Sequence, residues 1–437
     1  MTNKIGIRLE DKNKWERRAP LVPEHVKELI AKNNLQFIVQ SSEIRAFSDK
    51  EYNDIGSSVE SDLKDADIIF AIKEIPIKHI DSDKVYIFFS HVIKGQEHNM
   101  PMLKHLIDSK ATLIDYEKVT NEKGIRLIFF GNWAGLAGMN QTLWAFGKRL
   151  KLLENIDNPF TLIKHTYEYE GLESLQTALK EVGDIIRKEE LDSRIVPLVC
   201  GFSGYGNVSR GAQSIFDLLP SIEISPTELK SFYEKGEFSA NHVYKVVFKE
   251  EHMVKPKGNF EFDLQDYYEH GLEKYSGVFN QYLPFLSILV NGIYWTSKYP
   301  RLITKNDFKD LIKEEARLKV IGDISCDIEG SIEGTLDTTK PDNPILTYNP
   351  MTDSAAIGFS SPGVPIMAVD NLPCELPREA STSFSETLRS FVLPIAQADF
   401  TVSFEDLQLP REIKEAVIVY KGELTTKYQY LKEFLPS

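Results

Sequence analysis

Residues 195–212, IVPLVCGFSGYGNVSRGA, carry the reading on which the fold turns. Ile195–Cys200 is an apolar run of strand type, three glycines (Gly201, Gly204, Gly206) interrupt it, and a helical pattern over Ala212–Leu219 follows. A strand, a tight glycine turn and a helix N-terminus in that order form a receptacle for a pyrophosphate. A Cβ in such a turn would block the approach of phosphate to backbone. The stretch departs from the usual glycine fingerprint: after Gly204-x-Gly206-x-x stands Ser209, and the next glycine is Gly211. A dinucleotide site is the expectation, with a merely structural turn as the alternative, and Gly201, Ser203, Gly204, Gly206, Asn207 and Val208 are its candidate contacts.

Working outward, Ser221–Ile224 reads as the next strand of the same domain. An NAD enzyme commonly ends that strand with an acid that holds the ribose 2′-hydroxyl. Here it ends Ile224-Ser225-Pro226, with Glu223 and Glu228 the nearest acids, so NADP(H) is favoured over NAD(H) and Ser225 joins the cofactor candidates. The polar, tyrosine-dotted stretch 235–275 reads as an insertion or lid without assigned chemistry. Further strands are expected at Phe285–Val290, Leu318–Ile324 and Val364–Val369. A helix capped by Thr304 with Asp307 is expected, and another at about Ser383–Leu393.

Upstream, strand candidates at Lys4–Leu9, Gln36–Gln40, Asp67–Lys73, Val85–His91 and Thr112–Glu117 alternate with helical patterns, clearest at Pro23–Lys32 and Met102–Ile107. Alternation of this kind implies a parallel sheet wrapped by helices, with ligands outside the carboxyl ends of the strands. Those ends deliver Lys73-Glu74, His91 and Glu117 to one edge. Lys73 beside a carboxylate reads as an acid–base group or anion clamp, or else as a plain strand-end charge. His91 reads as a catalytic imidazole or a satisfied polar cap, with Lys94 just beyond it. Arg17-Arg18, in a loop fixed by Pro20 and Pro23, reads as a carboxylate clamp or as two solvated cations. Glu117 and Arg126 flank a hairpin-like interval and pair with each other in the plainer reading.

Phe129–Asn155 begins with small residues at 134, 135, 137 and 138 and continues as a helix from about Asn140 to Leu153, the connection between two domains. A further helix is expected at Gly171–Lys188. The expected fold class is α/β with two Rossmann-like domains. The first is 1–137, completed by 388–437, and the dinucleotide domain is 138–387. At 437 residues two domains are the default. A net charge of −14 argues against nucleic acid or anionic membrane as main partners, and no apolar stretch approaches a membrane span. Cys200, Cys326 and Cys374 form neither a disulfide framework nor a zinc pattern. The Asp323–Asp327 run lacks a histidine or third carboxylate at ligand spacing, so no metal is expected. The first residues lack a basic-then-apolar signal pattern, and the protein is expected to be cytoplasmic.

Several motifs resemble one family: WERRAPLVPEHVK (15–27), FFSHVIKGQEHNM (88–100), LIDYEKV (113–119), FGNWAGLAGM (130–139), GYGNVSRGAQSIF (204–216), NGIYW (291–295) and VDNLPCELPREAS (369–381). The chain is similar over nearly its whole length to the lysine–2-oxoglutarate reductases and lysine-forming saccharopine dehydrogenases, relatives of alanine dehydrogenase and of the transhydrogenase nucleotide-binding subunit. One half of the bifunctional lysine-degrading enzyme is represented. The resemblance implies two dinucleotide-type domains with parallel sheets around a cleft, NADP(H) or NAD(H) as cofactor, and L-lysine, 2-oxoglutarate and saccharopine as small-molecule substrates. It places the catalytic lysine and histidine at Lys73 and His91. Carboxylate-binding arginines fall at Arg18 and Arg126, acids tuning the catalytic pair at Glu74 and Glu117, and a substrate-side lysine at Lys94. Asp323 falls near the nicotinamide, and Asn291 joins the cofactor candidates. Rival readings are an alanine-dehydrogenase-like imino-acid reductase and a non-catalytic dinucleotide-binding module.

Overall fold

The computed structural model describes residues 3–436. It divides into two compact units, 1–130 with 377–437, and 131–376. The sequence reading set the passages at 137/138 and 387/388; by packing they lie at 130/131 and 376/377, where the two longest helices begin, Gly131–Glu154 and Pro377–Gln397.

In the first unit an eight-stranded sheet runs in the order Glu423–Leu424, Val417–Tyr420, Thr112–Asp115, Val85–Phe88, Ile68–Phe70, Ile5–Ile7, Phe37–Gln40, Ser58–Glu60. The six N-terminal strands are parallel, and the C-terminal hairpin adds antiparallel to Thr112–Asp115. The strands Ile5–Ile7, Ile68–Phe70 and Val85–Phe88 are wholly buried, as continuous apolar runs covered by helices on both faces should be. One face packs against Pro23–Asn33 and Pro377–Gln397, the other against Met100–Asp108. Each of the five expected strands is present, and all but Phe37–Gln40 end earlier than expected, which leaves Ala71–Lys73, Phe89–His91 and Tyr116–Glu117 beyond the ladder as strand-end segments.

The second unit holds another eight-stranded sheet: Ser354–Ile357, Ile345–Asn349, Val364–Met367, Val320–Asp323, Ile288–Asn291, Val199–Ser203, Val243–Phe248, Ser221–Glu223. It is parallel except for the two strands at its Ser354 edge. The first glycine-turn strand starts four residues later than expected. Pro197 has no N–H to give a ladder, and pairing begins after it. The helix after the turn begins correspondingly early, at Asn207.

Two differences from the sequence reading bear on function. The small residues at 134–138 lie inside the helix Gly131–Glu154 and not ahead of it, because that helix crosses Asn207–Phe216 at close range. A Cβ on Gly135 would fall on the Val208 carbonyl, and one on Gly211 on the Asn132 carbonyl. The 235–275 stretch is not a simple insertion: its VYKVVF run, 243–248, is a buried strand of the sheet. A hairpin, Val254–Pro256 with Tyr275–Gly277, and a short helix, Leu264–His270, follow it.

Candidate functional site

In the first unit the parallel strands ending at Phe70, Phe88 and Asp115 are neighbours, so their C-terminal extensions share an edge. Past Phe70, the backbone N–H groups of Ile72 and Lys73 donate to the carboxylate of Glu10 at 2.6 and 3.0 Å. Glu10 is carried by the adjacent strand segment from Ile5–Ile7, and it is buried. Burial, with the charge of Glu16 beside it, pushes its pKa up to about 8. This carboxyl fixes where the chain leaves the sheet and therefore where Lys73 stands.

The Lys73 ammonium is half-buried and makes no hydrogen bond or ion pair among the described residues. Burial, then the positive charges of Arg18 and Lys12, hold its pKa below the ordinary lysine value. The next residue, Glu74, meets His91: Oε1 lies 2.5 Å from Nδ1, and Oε2 lies 3.7 Å from Lys12 Nζ. Burial alone would raise the Glu74 pKa, but the His91 hydrogen bond and the His91 and Lys12 charges overcome it and bring it to about 2. A fixed carboxylate on Nδ1 assigns that nitrogen its proton and turns Nε2 to any ligand. His91 itself sits in the left-handed region at φ +52°, and its carbonyl accepts from the Asn99 amide at 3.1 Å.

Asp115 ties this edge together. It accepts the Ser90 N–H at 3.1 Å, the Ser90 hydroxyl, and the Glu117 N–H at 2.7 Å, and burial pushes its pKa up to about 6. Glu10, Lys12 and Asp115 escaped the sequence reading. Each acts through backbone or through a neighbour, and only Asp115, inside an apolar strand, left a signal: a carboxylate where burial is costly.

Arg18 is buried, with Nε and Nη2 on the Glu16 carboxylate at 2.8 and 2.6 Å and its guanidinium 4.3 Å from the Phe130 ring centre. A ligand carboxylate at Arg18 therefore shares the guanidinium with Glu16. Glu117 and Arg126 pair with each other at 2.8 Å, the plainer of the two sequence readings. Lys94 is exposed and has no hydrogen bond or ion pair among the described residues.

In the second unit Gly204 adopts φ +82° and Gly206 faces open space, so the turn presents bare backbone. The helix Asn207–Phe216 has Gly206 as N-cap and no side-chain cap, which leaves its first N–H groups to a ligand, as a pyrophosphate site requires. Gly201 is a correction: it lies within the strand, where a Cβ would meet Leu286 and Phe248, and not in the turn. Ser203, Asn291 and Asp323 are buried at three adjacent strand ends and bond to one another. Ser203 Oγ donates to Asn291 Oδ1 at 2.9 Å, and Asn291 Nδ2 donates to Asp323 Oδ1 at 2.8 Å. Thr335 caps Asp323 at 2.6 Å, and burial lifts the Asp323 pKa to about 6. This lattice lies beneath the turn and sets its floor.

Ser225 is the larger correction. The strand bordering Val199–Ser203 is Val243–Phe248, with Ser203 opposite Phe248, while Ser221–Glu223 pairs only on its far side. Ser225 thus stands one strand farther from the turn, about 5 Å more. Its hydroxyl meets Glu228 at 2.8 Å. The strand from which a preference for NADP(H) was drawn is thus not the neighbour of the turn strand.

Among the described residues no group of His, Cys, Asp or Glu gathers as a metal site, and no helix is long and apolar enough to cross a membrane.

The profile "Alanine dehydrogenase/PNT, N-terminal domain" matches residues 6–137, and "Alanine dehydrogenase/PNT, C-terminal domain" matches 272–427. The chain is 38% identical to the alpha-aminoadipic semialdehyde synthase of Arabidopsis thaliana over 99% of its own length and 42% of that protein's. The mitochondrial enzyme of that name from Rattus norvegicus is 34% identical over 99% of this chain and 48% of its own. The chain therefore spans less than half the length of these curated relatives. A saccharopine dehydrogenase [NAD(+), L-lysine-forming] of Yarrowia lipolytica is 26% identical, covering 91% of this chain and 93% of its own. Among solved structures an L-alanine dehydrogenase (TM-score 0.62, 16% identity, 99% and 100% covered) and a transhydrogenase from Sinorhizobium meliloti (0.58, 16%, 96% and 99%) share the fold.

Proposed function

This chain belongs to the alanine dehydrogenase/PNT family, and from that premise we propose that it is a nicotinamide-dependent oxidoreductase of the saccharopine dehydrogenase type, joining L-lysine to 2-oxoglutarate. One observation carries the reading: a half-buried Lys73, without a hydrogen-bond or ion-pair partner among the described residues, stands three residues past the strand end at Phe70, and its neighbour Glu74 grips His91 at 2.5 Å. The likeness to the aminoadipic semialdehyde synthases and saccharopine dehydrogenases supports the substrate class.

In this reading the ε-amine of lysine adds to the ketone of 2-oxoglutarate to give a carbinolamine. Water leaves to form an imine, and the imine carbon is reduced to the secondary amine of saccharopine. A nicotinamide dinucleotide, which the turn at Gly204–Gly206 and the uncapped N-terminus of Asn207–Phe216 would hold, would supply the hydride. His91 takes the proton that the attacking amine sheds and returns one to the departing hydroxyl through Nε2, because Glu74 occupies Nδ1. Lys73, its pKa lowered by burial and by Arg18 and Lys12, gives up a proton more easily than a solvated lysine and serves as the acid for the new amine nitrogen. Glu10 fixes the backbone of Lys73, and Asp115 that of Ser90 ahead of His91. Arg18, Arg126 and Lys94 are the cations for substrate carboxylates.

The test follows dinucleotide oxidation at 340 nm with lysine and 2-oxoglutarate together, then with each omitted. Turnover only with both supports the reading. Turnover with pyruvate and ammonium instead assigns an alanine-dehydrogenase-like activity, and binding of the dinucleotide without turnover on either pair assigns a non-catalytic module.

A further inference from the structure

The strand beside the glycine turn ends at Phe248, whose carbonyl accepts the Gly204 N–H at 2.9 Å. Two residues on stands Glu250, half-buried. The Tyr268 hydroxyl donates to its Oε1 at 2.7 Å, and the hydroxyl of Tyr205, inside the turn, belongs to the same hydrogen-bonded cluster. Glu250, Tyr205 and Tyr268 line one cavity of about 410 Å³ with Gly204, Gly206 and Gly292. The segment 254–275, which the sequence left without chemistry, thus brings tyrosines onto the turn and orients a carboxylate there.

In a sheet of this kind the tip of the strand next to the glycine-turn strand meets the adenosine ribose. A carboxylate at that tip accepts from the 2′-hydroxyl and repels a 2′-phosphate. We propose that Glu250, held by Tyr268, reads the ribose 2′-hydroxyl and makes the chain select NAD(H) over NADP(H). The proposal rests on the reading of the turn as a dinucleotide site. Of the cations nearby, Lys245 is held by Asp217 at 2.9 Å and Glu223 at 3.1 Å, and Arg210, exposed on the helix after the turn with Asn207 as its partner at 2.6 Å, does not line the cavity. Lys249 is exposed and does not line the cavity. Farther out, the carboxylate of Glu228 on Ser225 adds negative charge on the same side.

Equilibrium titration of NADH and NADPH, read by nicotinamide fluorescence, tests this in the wild type, Glu250→Gln and Glu250→Arg. The wild type binds NADH about ten- to a hundredfold tighter than NADPH, as one charged hydrogen bond warrants. Glu250→Gln brings the ratio near unity, and Glu250→Arg inverts it. Tyr268→Phe weakens NADH a few-fold without improving NADPH. A wild type that prefers NADPH, or a ratio unmoved in both Glu250 variants, overturns the proposal and leaves the dinucleotide site standing. If the wild type binds neither nucleotide, the dinucleotide reading itself falls. Thermal melting of each variant separates loss of binding from loss of fold.

Discussion

The strand ends of the first unit and the glycine turn of the second handle polar groups in opposite ways. Around Lys73 the charged side chains are only partly satisfied: an ammonium without a partner among the described residues, an imidazole with one nitrogen engaged, and carboxyls displaced to about 8 at Glu10 and about 2 at Glu74. Around the turn, Ser203, Asn291, Asp323 and Thr335 satisfy one another beneath the surface, and what faces outward is backbone. Free, perturbed titratable groups are suited to moving protons, and a saturated polar floor under bare N–H groups is suited to holding an anion still. The two units of similar architecture thus differ in where they leave their unsatisfied hydrogen-bonding capacity.

That contrast breaks most readily at Lys73. Lys73→Met is expected to lower kcat/KM for lysine with 2-oxoglutarate by about 10²–10⁴ while NADH affinity stays within about twofold. Equal turnover in the variant would remove the lysine from the mechanism. The complementary lesion lies in the second unit. Gly211→Val drives a side chain into the Asn132 carbonyl and is expected to cost about 3 kcal/mol or more, seen in calorimetry together with lost dinucleotide binding. A variant that melts like the wild type contradicts the helix crossing.

Smaller effects test the two displaced carboxyls, and their signs oppose. Glu10 has its folded pKa raised to about 8, so the stability it contributes is fully present below the ordinary glutamate range and is lost as pH rises toward 8. Glu10→Gln keeps one backbone acceptor of two, costs about 1–2 kcal/mol at pH 5, and closes on the wild type in urea unfolding at pH 8.5. Glu74 has its folded pKa depressed to about 2. Its contribution is present above pH 4.5 and lost as pH falls toward 2, so Glu74→Gln closes on the wild type in the acid direction. Parallel trends in the two variants would mean that one of these charge environments is wrong. The smallest expected effect is at Ser225: Ser225→Ala leaves both nucleotide affinities within about twofold, since its strand does not border the turn.

Much of what the first unit gathers at this sheet edge was legible in the sequence. Lys73, Glu74, His91 and Glu117 follow apolar runs, and a parallel sheet brings the ends of such runs to one edge whatever the details of packing. Arg18 was legible as a fixed arginine, yet its Glu16 partner, two residues away in the same motif, went unread because sequence does not say which side chains turn inward. The placement of Gly201 and Ser225 was not legible for a related reason. Both depended on where a strand stops or which strand it borders, and hydrophobic periodicity reports neither. The Val243–Phe248 strand carried an ordinary β-branched signal, hidden by the polar stretches on either side of it.

The sequence by itself determined the α/β class, the glycine turn with its helix, and the chemistry-bearing strand ends, because these follow from local periodicity and from the special demands of glycine. Only the tertiary structure decided which carboxylate faces the turn. The order of strands in the sheet puts Val243–Phe248 between the turn and Ser221–Glu223, and that order is a choice among long-range pairings of similar apolar runs. The same is true of Glu10 beneath Lys73: two residues far apart in the chain became partners because their strands pair side by side.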